Sequence, residues 1–205
     1  MGRPRTNDTA VRERLVACAT EMFATRPQES VTVRALATAA GTSTAAVYTL
    51  FHGKDGLVRE VRDQAVAGLF QHLTAVPRSE NALKDLDALA AAYRHWGREH
   101  RHLYTVLFGG AQSFVPSTRV GDHDPVRPLV AAIDRAVADH LLAGDTTQIA
   151  VSLWVALHGL VTLELTSSLD NTAATTAFRS TVDAILRGWA PPTPSRSPRR
   201  THPTP

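Results

Sequence analysis

The chain has 205 residues, of which 43% are apolar and 20% charged, and its formal net charge is +3. That composition excludes a mostly disordered or collagen-like chain, and the length allows one sizeable domain or a small head with a larger body. The charge is uneven, because residues 1–53 carry six arginines against four acids, residues 54–189 thirteen bases against fifteen acids, and residues 190–205 three arginines. Basic ends permit a polyanionic partner.

The start of the chain and its single cysteine point to the cytoplasm. Residues 1–14 are polar and basic with no apolar run after them, so we expect no secretory signal. One cysteine, Cys18, excludes an internal disulfide and a thiolate metal cluster within one chain, which fits a reducing compartment. Cys18 is in helical phase with Leu15 and Met22, which favours a buried helix-face position, and a redox-sensing cysteine is the alternative.

Apolar residues recur with helical periodicity along the chain, and no strand-like alternation bounded by turn residues stands out. The sequence therefore predicts an all-α fold of about nine helices. These span residues 9–25, 32–41, 43–51, 54–75, 81–100, 101–109, 125–143, 146–168 and 172–189. We expect an arm and a small helical head over residues 1–53, a larger helical body over 54–189, a surface loop at 112–124 and a disordered, proline-rich tail over 190–205.

Residues 32–48 have the spacing of a helix-turn-helix. Ala37 is small where two helices would cross, and Gly41, four residues later, can adopt the left-handed conformation that ends the first of them. Thr42 or Ser43 can cap the next helix. Three apolar residues then face inward and fix the crossing: Leu36, Val47 and Leu50.

The outward face of the helix over residues 43–51 is short, polar and uncharged. Thr44, Ala45, Tyr48 and Thr49 form it, which suits a helix that enters a major groove and contacts base edges. An ordinary helical hairpin with a glycine turn is the alternative interpretation. The surrounding pattern decides between the two.

That pattern extends over residues 9–57, where an amphipathic first helix precedes a series of motif residues. The series is Phe23, Thr32-Val33-Arg34, Leu36-Ala37, Ala40-Gly41, Ser43, Val47-Tyr48, Phe51 and Lys54-Asp55-Gly56-Leu57. It resembles the DNA-binding head of the TetR family. The resemblance implies that the third helix enters the groove with Thr32, Thr44, Tyr48 and Thr49 near the DNA. It also implies that Lys54, at a helix start, binds a phosphate.

The head departs from the common family pattern at Ala46, where threonine is frequent, and at Leu50, where an aromatic is usual. Because Ala45 and Ala46 offer only methyl contacts, hydrogen-bond readout should fall on three hydroxyls, those of Ser43, Thr44 and Thr49, with Arg34 as a further contact. The arginines of residues 2–5 can enter a minor groove, although a solvated arm is the alternative. The predicted DNA-binding residues are Arg3, Arg5, Thr32, Arg34, Ser43, Thr44, Tyr48, Thr49 and Lys54.

Residues 149–165 are apolar on almost every helical face. A histidine at mid-segment and a glutamate near its end, His158 and Glu164, argue against a membrane span. A subunit interface explains the segment better, and the last helix offers an apolar stripe of its own. We therefore expect a homodimer through the last two helices. The stripe of the last helix is Phe178, Val182, Ile185 and Trp189.

Residues 153–161 look like the Trp-xxx-His-Gly signature of one TetR-family body type, and residues 100–108 resemble the region that accompanies it. The resemblance implies a body cavity whose small-molecule occupant spreads the two heads and weakens operator binding. Because few charges occur there, we expect an apolar or aromatic ligand. A plain hydrophobic core is the alternative for each aromatic residue. The ligand-binding candidates are Trp96, Tyr104, Phe108, Trp154 and His158.

Other classes of function are weaker. His95, Glu99 and His102 fall near one helical face, but their spacing is imperfect and His-Glu-x-x-His is absent, so no metal site is predicted. A Gly-x-Ser-x-Gly motif and a glycine-rich phosphate loop are absent too, so we expect no catalysis and no cofactor. A helical docking protein that binds no DNA is the remaining alternative. The sequence thus predicts a DNA-binding transcription regulator, a repressor released from a palindromic operator by its ligand.

Overall fold

The computed structural model describes residues 5–108, 124–168 and 170–192, with side chains from residue 8 onward. Within these ranges the chain forms nine α-helices and one short 3-10 helix and contains no strand, which confirms the all-α prediction. The helices are α1 (Arg5–Thr25), α2 (Val33–Ala39), α3 (Thr44–Phe51), α4 (Lys54–Thr74), α5 (Ala82–Glu99), α6 (Arg101–Phe108), α7 (Arg127–Ala138), α8 (Thr146–Leu165) and α9 (Asn171–Gly188), and the 3-10 helix is Gln28–Ser30.

Some predictions fall on residues that are not described. Arg3, most of the 112–124 loop and residues 193–205 of the tail lie outside the described ranges, and Arg5 is described only as the first residue of α1. α7 is shorter than predicted and ends at Ala138. Its end is set by His140, whose φ is +56°, and by the amides of Leu141 and Leu142, which both donate to the Ala136 carbonyl.

The first three helices and the start of α4 enclose one hydrophobic core. Leu15, Leu36, Val47 and Leu57 have no exposed surface at its centre. Cys18 lies on the helix face that its phase predicts and packs against this core, although it is half-buried and not fully buried. The start of α4 therefore completes the hydrophobic core of the head, because it supplies Leu57.

α4 and α6 connect the head core to the body core. Leu57 and Val61 at the start of α4 lie in the head core, whereas Leu69 and Leu73 near its end lie in the body core. The predicted boundary at residue 53 stays a prediction, and a continuous helix crosses from one core to the other. α6 bridges the same gap, since its Leu103 and Val106 pack on the head and its Leu107 lies in the body core.

α8 has a buried face and an apolar exposed face. Leu153, Leu157 and Val161 are buried against the other body helices, while Val155 is 62% exposed. Among the described residues α8 alone is long and apolar enough to cross a membrane, by length and composition only, with a mean hydropathy of 1.5. A helix packed on α5, α7 and α9 of its own chain meets that criterion equally well. Two further exposed apolar residues of α8 are Val151 and Leu163.

The apolar stripe of α9 is used within the chain. Phe178 and Val182 are buried in the body core, and Ile185 and Trp189 pack against it partly buried. Two of the four residues predicted for a dimer interface on α9, Phe178 and Val182, therefore belong to the core of the chain, while Ile185 and Trp189 keep part of their surface. The exposed apolar stripe of the body lies on α8 instead.

Candidate DNA-binding head and body site

The turn between α2 and α3 has the geometry that its sequence predicts. Gly41 has a φ of +61°, the left-handed conformation that favours glycine. The amide of Thr42 then donates to the Ala37 carbonyl over 2.9 Å, which closes the end of α2. Ala37 is 3% exposed between α1, α2 and α3. The turn thereby fixes the angle at which α3 leaves the head.

Two hydroxyls that were predicted to contact DNA also cap helices. Thr32 Oγ1 accepts a hydrogen bond from the Ala35 amide over 3.1 Å, and Ser43 Oγ accepts one from the Ala46 amide over 3.2 Å. A hydroxyl has one hydrogen and two lone pairs, so each side chain still has its hydrogen to donate. The cap therefore fixes the position of each hydroxyl, and the O–H hydrogen of Thr32 and of Ser43 remains available for another acceptor.

The exposed face of α3 consists of the residues predicted for it. Thr44, Ala45 and Thr49 are exposed, and Tyr48 is 57% exposed, while Val47 is fully buried on the opposite face. Arg34 is also exposed, one residue into α2. The head therefore presents hydroxyls and methyl groups on the face of a helix whose other side is anchored in a core.

Lys54 is the first residue of α4, and it follows Gly53, whose φ is +105°. Its Nζ donates to the Gln28 carbonyl over 3.1 Å, a contact between residues 26 positions apart that no local pattern predicts. An ammonium group has three N–H donors, so this contact leaves two for another acceptor. The bond holds the cation beside the 3-10 helix that precedes α2.

Four of the five predicted ligand residues form one aromatic cluster in the body. The Tyr104 ring lies 4.6 Å from Phe108 and 5.7 Å from His158, and Trp154 stacks on His158 at 6.2 Å and 6°. Tyr93 was not predicted, yet it joins this cluster with its ring 5.3 Å from Trp154. In the sequence, only the helical phase of Tyr93 pointed to the interior, and a residue of the plain hydrophobic core has the same phase. The fifth candidate, Trp96, instead contacts His100 and lies beside Gly68 of α4.

A short chain of hydrogen bonds runs through the cluster. Tyr93 Oη donates to Tyr104 Oη over 3.2 Å, and Tyr104 Oη lies 2.7 Å from His158 Nδ1. Burial raises the pKa of both tyrosines and lowers the pKa of His158. Protonated phenols and a neutral imidazole follow, and the one hydrogen of Tyr104 has two acceptors within reach, His158 Nδ1 and the His158 carbonyl at 3.2 Å. These hydrogen bonds of the cluster meet at the Tyr104 hydroxyl.

Two clefts of the described body are lined by other residues. One, of about 390 Å³, lies between α4, α5 and α7 and includes Phe70, Leu89 and Arg127. The second, of about 610 Å³, lies between α5 and α9 beside Arg94 and Phe178. The aromatic candidates themselves are packed against one another.

The histidine-rich turn does not form a metal centre in the described part of the chain. His95 and Glu99 pair over 3.2 Å on α5, whereas His102 belongs to α6. Across the described ranges, no three histidine, cysteine or carboxylate side chains converge for a metal ion. The pair is an i,i+4 contact on an exposed helix surface.

A helix-turn-helix with an uncharged exposed face, carried on a larger helical body, defines a DNA-binding transcription regulator. The family model described as "Bacterial regulatory proteins, tetR family" matches residues 15–61, and the one described as "Tetracyclin repressor-like, C-terminal domain" matches residues 86–185. The chain belongs to the TetR family of transcription regulators, which are DNA-binding proteins and not enzymes.

A curated relative is a regulator of the helix-turn-helix type, and solved structures share the fold of this chain. A helix-turn-helix-type transcriptional regulator of Mycobacterium tuberculosis is 26% identical over 182 residues, covering 86% of this chain and 78% of the relative. The regulator PfmR of Thermus thermophilus has the same fold, with a TM-score of 0.69 and 21% identity over 89% of this chain and 97% of PfmR. A tetR-family regulatory protein of Rhodococcus RHA1 matches with a TM-score of 0.67 and 21% identity, over 89% and 98% of the two chains.

Proposed function

We propose that this TetR-family regulator is a cytoplasmic repressor that binds a palindromic operator as a homodimer. An apolar or aromatic small molecule, bound in the body, releases it. The observation that carries the proposal is the anchored α3, which exposes Thr44, Tyr48 and Thr49 on one face. Hydroxyls and methyl groups on such a face suit direct contacts with base edges in a major groove.

The remaining DNA contacts follow from position. Lys54, held at the start of α4, binds a backbone phosphate with its free N–H donors. Thr32 and Ser43 supply the hydrogens that their caps leave free, and Arg34 reaches the backbone from α2. Arg3, together with Arg5 at the first position of α1, completes the set in the minor groove. Phosphate contacts fix the register of α3, and α3 supplies the sequence choice.

The homodimer is supported by the exposed face of α8. Val151, Val155 and Leu163 recur at four- and eight-residue intervals and are 44%, 62% and 45% exposed. Gly159 lies on the same stripe, with no heavy atom within 4 Å of the position its Cβ would take. Pairing this face with its symmetry mate, alongside α9, covers the stripe and makes the two α3 helices equivalent. Two equivalent heads require a palindromic operator.

The effector acts through the aromatic cluster. Tyr104 and Phe108 belong to α6, whose Leu103 and Val106 pack on the head core. A molecule that inserts beside the cluster displaces rings that contact one another, so it shifts α6 and, with it, the head. Tyr104 and His158 supply the hydrogen-bonding groups that orient the molecule in an otherwise apolar place.

Selection of genomic fragments by the purified full-length protein tests this function, followed by footprinting of the enriched fragments. We expect one enriched sequence with two-fold symmetry, protected over two half-sites. Enrichment without any shared sequence, or a single unrepeated half-site, would contradict the proposal. Genes next to the enriched sites then define the library of apolar compounds to screen for release.

A further inference from the structure

Two arginines of α1 donate to the ends of the two helices that form the helix-turn-helix. Arg14 Nε donates to the carbonyl of Ala40, the C-cap of α2, over 3.2 Å. Arg12 Nη1 donates to the carbonyl of Leu50, in the last turn of α3, over 3.1 Å. The last carbonyls of a helix have no partner within it, and cations there also interact favourably with the helix dipole.

Arg12 makes two contacts of a kind that Arg14 does not make within the described head. Its Nη2 lies 2.5 Å from Glu60 Oε2 on α4, and its guanidinium lies over the Phe51 ring at 4.6 Å from the centroid. One planar side chain thus joins α1, the end of α3 and α4. A lysine could reach one of these partners but could not form the fork.

We infer that Arg12, oriented by Glu60, is a positioning residue that sets the angle of α3 relative to α4. The inference rests on the proposed DNA-binding role of α3. α3 has only eight residues, and side-chain caps close both of its ends, with Ser43 at the start and Arg12 at the end. The Arg12 side chain is 40% exposed, so its ion pair adds little to global stability. Its effect is on orientation.

Orientation affects specific and non-specific binding differently. Contacts to base edges need α3 at one angle, and a tilt misplaces all of them together. Phosphate contacts on flexible side chains tolerate such a tilt, and they supply essentially all of non-specific affinity. Loss of Arg12 should therefore lower the ratio of operator to random-sequence affinity while leaving the salt dependence unchanged.

The test compares Arg12→Gln with Arg14→Gln, which loses the same charge from the same helix. Affinities of the full-length variants are measured for the selected operator and for a scrambled duplex over a range of salt. We expect Arg12→Gln to lower operator affinity roughly tenfold, a loss comparable to one mismatched base pair, with scrambled affinity within about twofold. Arg14→Gln should change the ratio by less than about twofold. Glu60→Gln should lower the ratio in the same direction, by a smaller factor.

Several outcomes would overturn the inference. An equal loss on both duplexes with a salt slope smaller by about one unit would make Arg12 a phosphate contact. An unchanged ratio in Arg12→Gln, or an equal change in Arg14→Gln, would remove the positioning role. If Glu60→Gln had no effect, the link to α4 would be wrong. Should Arg12→Gln fail to fold, Arg12→Lys takes its place. We then expect a smaller decrease in the ratio of operator to scrambled-duplex affinity.

Hydrogen exchange of the protein without DNA separates this inference from the proposed function. Arg12→Gln should speed exchange of the α3 amides and leave the α8 amides unchanged. Wild-type protein that binds no duplex would end the operator proposal, yet this comparison would still test the Arg12 contact. Unchanged exchange in α3 would mean that Arg12 does not hold its end.

Discussion

Aromatic residues occur in both the head and the body, and Tyr48 of the head differs from the aromatic cluster of the body in its exposure. In the head, Tyr48 points outward from α3 and is 57% exposed. In the body, Tyr93, Tyr104, Phe108 and Trp154 are buried together. DNA is bound at a surface, so a contact residue such as Tyr48 can be one that the hydrophobic core does not use. A buried effector site uses the same residue types as the core, so burial alone does not separate the two roles.

The largest expected effect is on the free energy of unfolding, and it comes from an aromatic residue that is buried in the body, Phe108. Phe108 is 8% exposed, and three rings contact it at 4.6 to 5.5 Å. Phe108→Ala should lower the free energy of unfolding by about 3–5 kcal/mol, through lost burial and the cavity it leaves. Chemical denaturation measures this loss.

The matched variant in the head is Tyr48→Ala. Because that ring is mostly exposed, its removal should cost less than about 1 kcal/mol of stability and abolish most operator binding. A loss below about 1 kcal/mol in Phe108→Ala would mean that the Phe108 ring is not packed as described. A large stability loss in Tyr48→Ala would make that residue structural.

Next in size is the sequence choice made by α3. Thr44→Ala removes one exposed hydroxyl from the first residue of the helix without touching its cap. Operator affinity should fall by about 1–3 kcal/mol, and the preference at one base position should relax. Selection of randomised duplexes measures both effects. Thr74→Ala, an exposed threonine at the far end of α4, is the control. Relaxed preference in the control, or unchanged preference in Thr44→Ala, would contradict the assignment.

A smaller, uniform effect belongs to Lys54. Lys54→Ala should weaken binding of every duplex alike and reduce the slope of log affinity against log salt by about one unit. The chain has one other lysine, Lys84, which is exposed on α5 and gives a matched change of charge. Titrations at several salt concentrations measure the slopes. A sequence-dependent loss in Lys54→Ala, or an equal change of slope in Lys84→Ala, would place the phosphate contact elsewhere.

The features that the sequence predicts correctly depend on local chemistry. Ala37, Gly41 and Ser43 are set by a crossing, a left-handed turn and a cap, each decided within four or five residues. The contact of Arg12 with Leu50 spans 38 positions and that of Lys54 with Gln28 spans 26. No rule of sequence spacing distinguishes a basic side chain that makes such a distant contact from one that is only solvated.

The body shows the second limit of prediction from sequence. The stripes of α8 and α9 are both apolar, and periodicity gave no sign of which one the chain would bury. The structure buries Phe178 and Val182 of α9 and exposes Val155 of α8. That choice depends on how α5 and α7 pack beside them. Tyr93 joins the aromatic cluster for the same reason, since its partners lie on α6 and α8.

The last expected effect is a change of stability confined to acid pH, and it comes from the buried carboxylate of the body, Asp85. Hydrogen bonds from Ser79, then the Arg135 guanidinium, lower its pKa from 3.8 to about 2, against the opposing effect of burial. Because the folded pKa is the lower one, the stabilisation is complete above pH 3.8 and is lost as the pH falls towards 2. Arg135 bonds the Asp85 carboxylate and the Ser79 carbonyl, so this loss loosens α7 from the start of α5.

Urea unfolding from about pH 5 to about pH 2 measures the acid effect. Asp85→Asn keeps the shape of the side chain and cannot ionise, so its stability should vary less over that range than the wild type's. Asp87→Asn is the control on the same helix. Burial raises the pKa of Asp87, so protonation of Asp87 in acid favours the folded state, whereas protonation of Asp85 disfavours it. Equal acid dependence of the wild type and Asp85→Asn would show that Asp85 does not hold α5 to α7. Acid loosening confined to the body would leave α3 ordered, which separates the surface that binds DNA from the interior that holds the fold.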